Sequence, residues 1–120
     1  MSRPALVNAT LVGTVLQLAM VISGHYSTSV ANLFAVLGMT ISLVAGVLFA
    51  LWAKQPTVGS SAVGGLLAGG ICALLGILVS YFLGDVPAMI IAFGTLSSAV
   101  TGAIGGAVGH MVGAKRVARA

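Results

Sequence analysis

The 120-residue chain contains very little charge: Asp85 is its only acidic residue, and charged residues make up 5% of the composition. Soluble domains carry about 25% charged residues because their surfaces must be hydrated. One carboxylate excludes a pair of catalytic carboxylates, and the five lysines and arginines are too scattered for a nucleic-acid surface, which needs a clustered basic stripe. The surface is therefore expected to face the lipid bilayer, and no nucleic-acid partner is expected.

Cysteine and histidine are also scarce in this sequence. Cys72 is the only cysteine, which excludes an intramolecular disulfide and a thiol-rich metal site. His25 and His110 fall at opposite ends of the bilayer in the topology predicted below. Neither a metal site, which needs several converging ligands, nor a Ser–His, Cys–His or His–carboxylate pair is expected at membrane depth. The sequence therefore predicts no metal, no cofactor and no enzymatic activity.

Long apolar runs are what the chain has in abundance. Hydrophobic residues make up 59% of the sequence, and the mean hydropathy is +1.20. A helix needs about 20 apolar residues to cross the hydrocarbon layer, so a chain of this length allows about four crossings and no separate soluble domain. We predict an all-α integral membrane protein, a single four-helix transmembrane domain over 1–120. Its predicted spans are 5–23, 30–53, 62–83 and 88–112, followed by a basic tail at 114–120.

Cap and turn signals set the ends of these predicted helices. Thr28 or Ser29 can cap the second helix, and Asp85 can cap the fourth, with Pro87 in its first turn. A secretory signal peptide is the competing interpretation of the first span. That span has about 19 apolar residues, more than the roughly 7 to 15 of a signal-peptide core, so we expect it to remain as a helix.

Small residues recur every three or four positions on one face of the last predicted helix, from Gly94 to Gly113. In water each interior glycine costs about 1 kcal/mol against alanine, whereas between membrane helices such a face lets backbones approach closely. The pattern predicts a glycine-zipper packing face. The residues predicted to pack helices are Gly38, Ser42, Gly46, Gly65, Gly69, Gly76, Gly94, Ser98, Gly102, Gly105, Gly109 and Gly113.

An internal repeat is one interpretation of this pattern. A shift of 56 residues places Gly38 on Gly94 and Gly46 on Gly102, while the first and third spans match more weakly. Two duplicated hairpins of equal orientation would be related by an axis along the membrane normal. Chance similarity between helices rich in glycine and alanine is the alternative.

The distribution of charge predicts the topology. With the amino terminus in the cytoplasm, every cation lies inside, whereas His25 and Asp85 lie outside. The cations are Arg3, Lys54, Lys115, Arg116 and Arg119. Four spans then place both termini in the cytoplasm, and the expected location is the bacterial inner (plasma) membrane. The tail at 114–120 is expected to meet anionic lipid.

Polar side chains at membrane depth are the candidate functional residues. Thr10, Thr14 and Gln17 share one face of the first span, with Gln17 near the midplane. They can hydrogen-bond to neighbouring helices, for roughly 0.6 kcal/mol per pair, or line a pathway for a solute. Further members of such a pathway would be Thr40, Thr95, Ser97 and Thr101.

Two functions remain open from the sequence. The first is a homo-oligomeric channel or transporter for a small ion or neutral solute; the lack of a titratable group at mid-depth argues against ion coupling. The second is a non-catalytic subunit or scaffold of a larger membrane complex, which docks partner helices through its small-residue faces. The orientation of Gln17 discriminates them, since a cavity favours permeation and satisfied burial favours a scaffold. His25, Tyr26 and Asp85 can form an outer mouth or act as anchors and caps.

Overall fold

The computed structural model describes residues 3–119, apart from the side chains of Ala31 and of 114–119. The chain forms helices α1 (Arg3–Tyr26), α2 (Thr28–Ala31), α3 (Phe34–Ala53), α4 (Val58–Phe82) and α5 (Met89–Arg119). The described residues include no strand, which confirms the all-α prediction with four long apolar helices. Each of these four is long and apolar enough to cross a membrane. The contacts of the predicted basic tail, 114–120, lie outside the described residues.

The segment between α1 and α3 differs from the prediction, because it forms the one-turn helix α2. Ser27 is in the extended conformation, and its hydroxyl accepts a hydrogen bond from the Val30 N–H at 3.5 Å. The prediction that Thr28 or Ser29 caps the second helix is wrong. Both residues lie inside α2, where their own backbone is already helical.

The connection between α4 and α5 differs as well. Helix α5 begins at Met89, so the predictions that Asp85 caps it and that Pro87 lies in its first turn are both wrong. The physical reason is the left-handed conformation of Gly84, with a φ of 79°, which turns the chain immediately after α4. The carboxylate of Asp85 contacts His25 of α1 instead.

Helices α3 and α4 lie at the centre of the bundle, and α1 and α5 each pack against both of them from opposite sides. Long helices that follow one another run antiparallel. At one end Ala5 of α1 packs in the same cluster as Phe49 of α3, and at the other end His25 contacts Asp85. We name these the Lys54 end, after the residue that follows α3, and the Asp85 end.

In the half of the bundle nearer the Lys54 end, α5 lies directly against the backbones of α3 and α4. A Cβ atom added at Gly102 would collide with the carbonyl oxygen of Gly65 and lie 3.0 Å from the Cα of Gly69. One added at Gly105 would collide with the carbonyl oxygen of Leu43. Glycine is required here because only hydrogen fits. We name this contact the glycine seam, formed by Gly46, Gly65, Gly69, Gly102, Gly105, Gly106 and Gly109.

The largest fully buried side chain, Phe49, fills the same half of the bundle. Its ring lies on Gly64, where an added Cβ would collide with it. On the other side of the core, a Cβ at Gly13 of α1 would lie 2.8 Å from the Sγ of Cys72. Because a glycine has no side chain, it leaves room for a large or polarisable side chain of a neighbouring helix. This half of the bundle is therefore tightly packed.

Candidate functional site

A cavity of about 620 Å³ lies between α3 and α5 in the half of the bundle nearer the Asp85 end. It exists because α3 and α5 touch along the glycine seam and then diverge. A Cβ added at Gly38 of α3 would meet only the side chains of Gln17 and Met20 of α1, at 3.7 and 3.8 Å, and nothing of α5. The seam closes the cavity towards the Lys54 end.

Gln17 lies at the inner limit of this cavity and is only 2% exposed. Its Nε2 donates to the carbonyl oxygen of Gly38 at 3.2 Å and lies 3.5 Å from the Oγ of Ser42. The Ser42 hydroxyl in turn donates to the carbonyl oxygen of Gly69 at 3.2 Å, which links α1, α3 and α4. No described residue donates to the Gln17 Oε1. Gln17 therefore combines a satisfied amide N–H group with an acceptor that remains available in the cavity wall.

Ser80 of α4 also lines the cavity and is 2% exposed, yet its hydroxyl has no hydrogen-bond partner among the described residues. Burying an unpaired hydroxyl costs roughly 1–3 kcal/mol. Ser98 of α5, which is also buried, contributes a second serine to the same wall. The polar groups that the described residues place in the deep part of the cavity are thus neutral hydroxyl and amide groups.

His25 and Asp85 lie together at the Asp85 end of the bundle. The His25 Nδ1 is 2.9 Å from the Asp85 Oδ2, and Asp85 lines the cavity. The His25 ring also meets Tyr26 edge to face, with ring centroids 5.1 Å apart. When His25 is protonated the contact is an ion pair, and because both side chains are partly exposed it contributes no more than about 1 kcal/mol. The pair joins the end of α1 to the α4–α5 connection.

Only two of the predicted pathway residues, Gln17 and Ser97, line the cavity. Thr40 and Thr101 each donate to a carbonyl oxygen four residues earlier in their own helix, at 2.7 and 2.8 Å. This local bond occupies the hydroxyl proton, and neither residue lines the cavity. The remaining three have buried hydroxyl oxygens without a partner in the described chain: Thr10, Thr14 and Thr95.

The predicted packing residues do not all lie in the glycine seam. Gly38 and Gly94 line the cavity rather than the seam. Gly76 of α4 accommodates Gln17, because a Cβ there would lie 2.8 Å from the Cβ of Gln17. Among the described residues, a Cβ added at Gly113 would meet only the Leu51 Cδ2, at an ordinary contact distance of 3.6 Å. The same pattern of small residues therefore lies at close helix contacts in one half of the bundle and along the cavity in the other. Because the cavity is open on one side, we also call it the cleft.

A Ser–His contact forms near the Lys54 end of the bundle, away from the membrane depth for which the sequence predicts no such pair. The Ser61 Oγ lies 3.1 Å from the Nδ1 of His110, although the two residues are 49 positions apart in the sequence. They meet because α4 begins where α5 approaches its end. Ser61 is fully buried, and Asp85, the only carboxylate side chain of the sequence, lies at the opposite end of the bundle. Without an orienting acid, the contact serves as a hydrogen bond between α4 and α5.

Ser80 is the cavity residue that the sequence analysis did not identify as functional. Its only sequence signal is its position one helical turn after Gly76, in a stripe of small residues that predicts packing. The described residues contain no group of three His, Cys, Asp or Glu side chains that could hold a metal ion.

The fold and the cavity together define a small helical bundle with four candidate membrane-spanning helices and a cleft closed at one end. No protein-family model, curated protein or solved structure matches the chain. Its function is therefore inferred from the geometry and chemistry of the cleft.

Proposed function

We propose that this chain is a small polytopic membrane protein that moves a small neutral solute across the bilayer. The observation that carries the proposal is the cavity of about 620 Å³. Gln17 meets both of the opposed expectations, because its amide N–H is satisfied by Gly38 as in a scaffold, while its Oε1 has no donor among the described residues and the side chain lines the cavity. Ligand cavities of roughly 300–1,000 Å³ with apolar walls and a few polar groups are typical of small-molecule sites. A neutral solute is favoured because Asp85, the one charged group that the described residues place in the cavity wall, already contacts His25.

A transporter is favoured over an open channel. The cavity ends at the glycine seam, where Gly102 meets the backbones of Gly65 and Gly69. A solute bound beside Gln17 can continue only if α5 moves away from α3 and α4, or if a route forms between subunits of a homo-oligomer. Transporters commonly bind near the bilayer midplane and rearrange packed helices around the site. The cleft, open at one end and closed at the other, supports that mode of action.

The membrane placement is part of the same proposal. Arg3 and Lys54 lie at one end of the bundle, and His25 and Asp85 lie at the other. The positive-inside rule assigns the Lys54 end to the cytoplasm, which places both termini in the cytoplasm and the cleft mouth outside, in a bacterial inner membrane. The parallel repeat of two hairpins stays a prediction.

Solute flux tests the proposed transport directly. Purified protein in liposomes is expected to take up one or more of glycerol, urea and acetamide faster than empty vesicles, with saturation and without flux of K⁺ or Cl⁻. Replacing Gln17 by alanine removes an acceptor and is expected to lower that flux about tenfold, equivalent to a bond of roughly 1.4 kcal/mol. Ser97→Ala, at an exposed cavity position, is expected to act in the same direction with less risk to folding.

Thr40→Val is the matched control for these flux measurements. Its hydroxyl bonds to its own helix, to the carbonyl oxygen of Val36, and does not line the cavity. This variant should transport as well as the wild type. If no solute of the panel crosses faster than in empty vesicles, for wild type and variants alike, transport is ruled out for these compounds and the proposal loses its support.

Labelling of single cysteines tests the topology. In a Cys72→Ala background, Thr57→Cys and Ala88→Cys stand in the connections at opposite ends of the bundle. A membrane-impermeant thiol reagent added to intact bacterial cells or spheroplasts is expected to label Ala88→Cys only, and Thr57→Cys only after lysis. Labelling of both positions from one side would contradict the four-span arrangement.

A scaffold role is the second candidate, favoured by one observation. The cleft is flanked by small residues of α3 and α5, among them Ala35, Gly38, Gly94 and Ser97, which would allow a partner helix to approach closely. In that case the protein would be a non-catalytic subunit of a larger membrane complex. Protection of Ser97→Cys from thiol reagents in native membranes, lost after purification, would favour the scaffold over the transporter.

A further inference from the structure

We propose that the cavity binds an amphiphile, a neutral molecule with one hydroxyl or amide group on an alkyl chain, which enters sideways from the lipid between α3 and α5. This inference rests on the proposed function in that it takes the same cavity as the binding site. It adds the chemical class of the ligand and its route of access. Three features of the described residues carry it: the open side of the cleft, the unpaired polar groups at depth, and the lack of an unpaired charge.

The cleft is open on the side that faces lipid in the proposed membrane placement. Ala35 and Met39 of α3 and Phe93 and Ser97 of α5 line it and are also exposed, with Phe93 62% exposed. Since α3 and α5 separate above the glycine seam, nothing of α5 lies within 4 Å of a Cβ added at Gly38. A molecule dissolved in the bilayer can therefore reach the cavity without passing through the aqueous phase.

Apart from the exposed Ser97 hydroxyl, the hydrogen-bonding side chains that the described residues place in this part of the cleft lie in its deep wall. The Ser80 hydroxyl has no partner among the described residues, and the Gln17 Oε1 receives no hydrogen bond from them. A ligand hydroxyl can donate to an amide oxygen and accept from a serine hydroxyl, and an amide group offers the same two functions. Either group would relieve the cost of burying Ser80 unpaired.

The rest of the cavity wall favours a ligand that is apolar and uncharged outside its hydroxyl or amide group. Met20 of α1, Ile77 of α4 and Ile90 of α5 line the cavity, and no lysine or arginine whose side chain the structure describes does. An ammonium or carboxylate head at the depth of Gln17 would have no counter-charge, because Asp85 contacts His25 at the end of the bundle. An unpaired charge at membrane depth costs at least about 2.5–3.5 kcal/mol, so charged amphiphiles are excluded in favour of neutral ones.

Photolabelling in lipid nanodiscs tests the inference. The probe is a 1-decanol analogue with a diazirine in its chain, and peptides are mapped by mass spectrometry. We expect labelling concentrated on cavity residues such as Met39, Ile90 and Phe93. Unlabelled 1-decanol is expected to compete at a concentration at least tenfold lower than decane or decanoate, because only the alcohol is both neutral and able to hydrogen-bond.

Two variants separate the polar contact from the lateral opening. Ser80→Ala removes a hydroxyl that has no partner in the described part of the chain, so it should leave the thermal stability unchanged or raise it while lowering the labelling about fivefold or more. Ala35→Trp places a bulky ring in the gap between α3 and α5 and should abolish specific labelling. Its matched control is Ala92→Trp, an exposed position on α5 outside the cavity, which should be labelled as the wild type is.

The possible results distinguish this inference from the proposed transport. Specific labelling without any solute flux supports the amphiphile site and contradicts transport. Flux of glycerol or urea without specific labelling contradicts the amphiphile site alone. Labelling spread evenly over lipid-facing residues, equal competition by decane, or disulfide-linked dimers through Ser97→Cys in membranes would each overturn the inference, the last because a second copy would then cover the cleft.

Discussion

Gly102→Ala is expected to destabilise the protein by about 2 kcal/mol or more, whereas Gly113→Ala on the same helix is expected to leave its stability unchanged or raise it by up to about 1 kcal/mol. Alanine is the better helix former, so propensity alone would stabilise both variants. At Gly102 the new Cβ collides with the carbonyl oxygen of Gly65, and a backbone atom cannot rotate away. At Gly113 the nearest neighbour of the added Cβ among the described residues is the flexible side chain of Leu51, at 3.6 Å. Only Gly102→Ala should therefore lower the stability.

The measurement is the apparent Tm in detergent, taken as the temperature at which the monodisperse peak in size-exclusion chromatography is halved. Gly102→Leu and Gly105→Leu extend the series, and both are expected to prevent folding because a bulky side chain must separate α5 from α3 and α4. Equal Tm values for Gly102→Ala and Gly113→Ala would contradict the close approach of α5. An unchanged Tm for Gly102→Leu would contradict it more strongly.

Phe49→Ala and Gly64→Leu are each expected to destabilise the protein by about 3 kcal/mol, and the double variant is expected to recover at least half of the summed loss. The Phe49 ring is fully buried against Gly64, so truncating it leaves a cavity, and enlarging the glycine forces the ring out of place. In a membrane these effects come from lost packing contacts, since lipid tails are as apolar as the core. The leucine of the double variant fills the space that the ring vacates.

A double-mutant cycle by apparent Tm and by resistance to unfolding in sodium dodecyl sulfate checks this second prediction. The control combines Phe49→Ala with Gly59→Leu, where the nearest neighbour of an added Cβ is the Thr57 Oγ1 at 4.0 Å. That control should be no more stable than Phe49→Ala alone. If the effects of Phe49→Ala and Gly64→Leu are simply additive, the two residues do not share one space.

The fold could be predicted in outline because hydropathy acts over whole segments. Four apolar runs separated by polar turns indicate four long helices whatever their packing, and the structure has them. The helix ends were less predictable. Thr28, Ser29 and Asp85 all have side chains that can cap a helix, and which serine or aspartate does so depends on the turn around it. Ser27 caps α2, while Gly84 turns the chain so that Asp85 meets His25.

A residue of the candidate site could be predicted from the sequence only where its side chain could not satisfy its hydrogen bonds within its own helix. Gln17 is a long amide in the middle of an apolar helix and must find partners, so its polarity alone marks it. Thr40 and Thr101 could not be distinguished from pathway residues, because a threonine hydroxyl can bond to its own helix or to a neighbour. Ser80 resembled one more small packing residue. Its unpaired hydroxyl and its place in the cavity wall follow from how α1 and α5 lie against α4.

By itself, the sequence determined an all-helical chain with four apolar segments, too few charges for a soluble surface, and a glycine-rich last helix. Those properties follow from transfer free energies and backbone preferences, which depend on the residues of one segment. Only the tertiary structure decided that α3 and α5 meet at the glycine seam and separate at Gly38 and Gly94. The angle between two helices depends on the contacts of all their neighbours at once. The same spacing of small residues therefore produced a tight seam in one half and a cavity in the other.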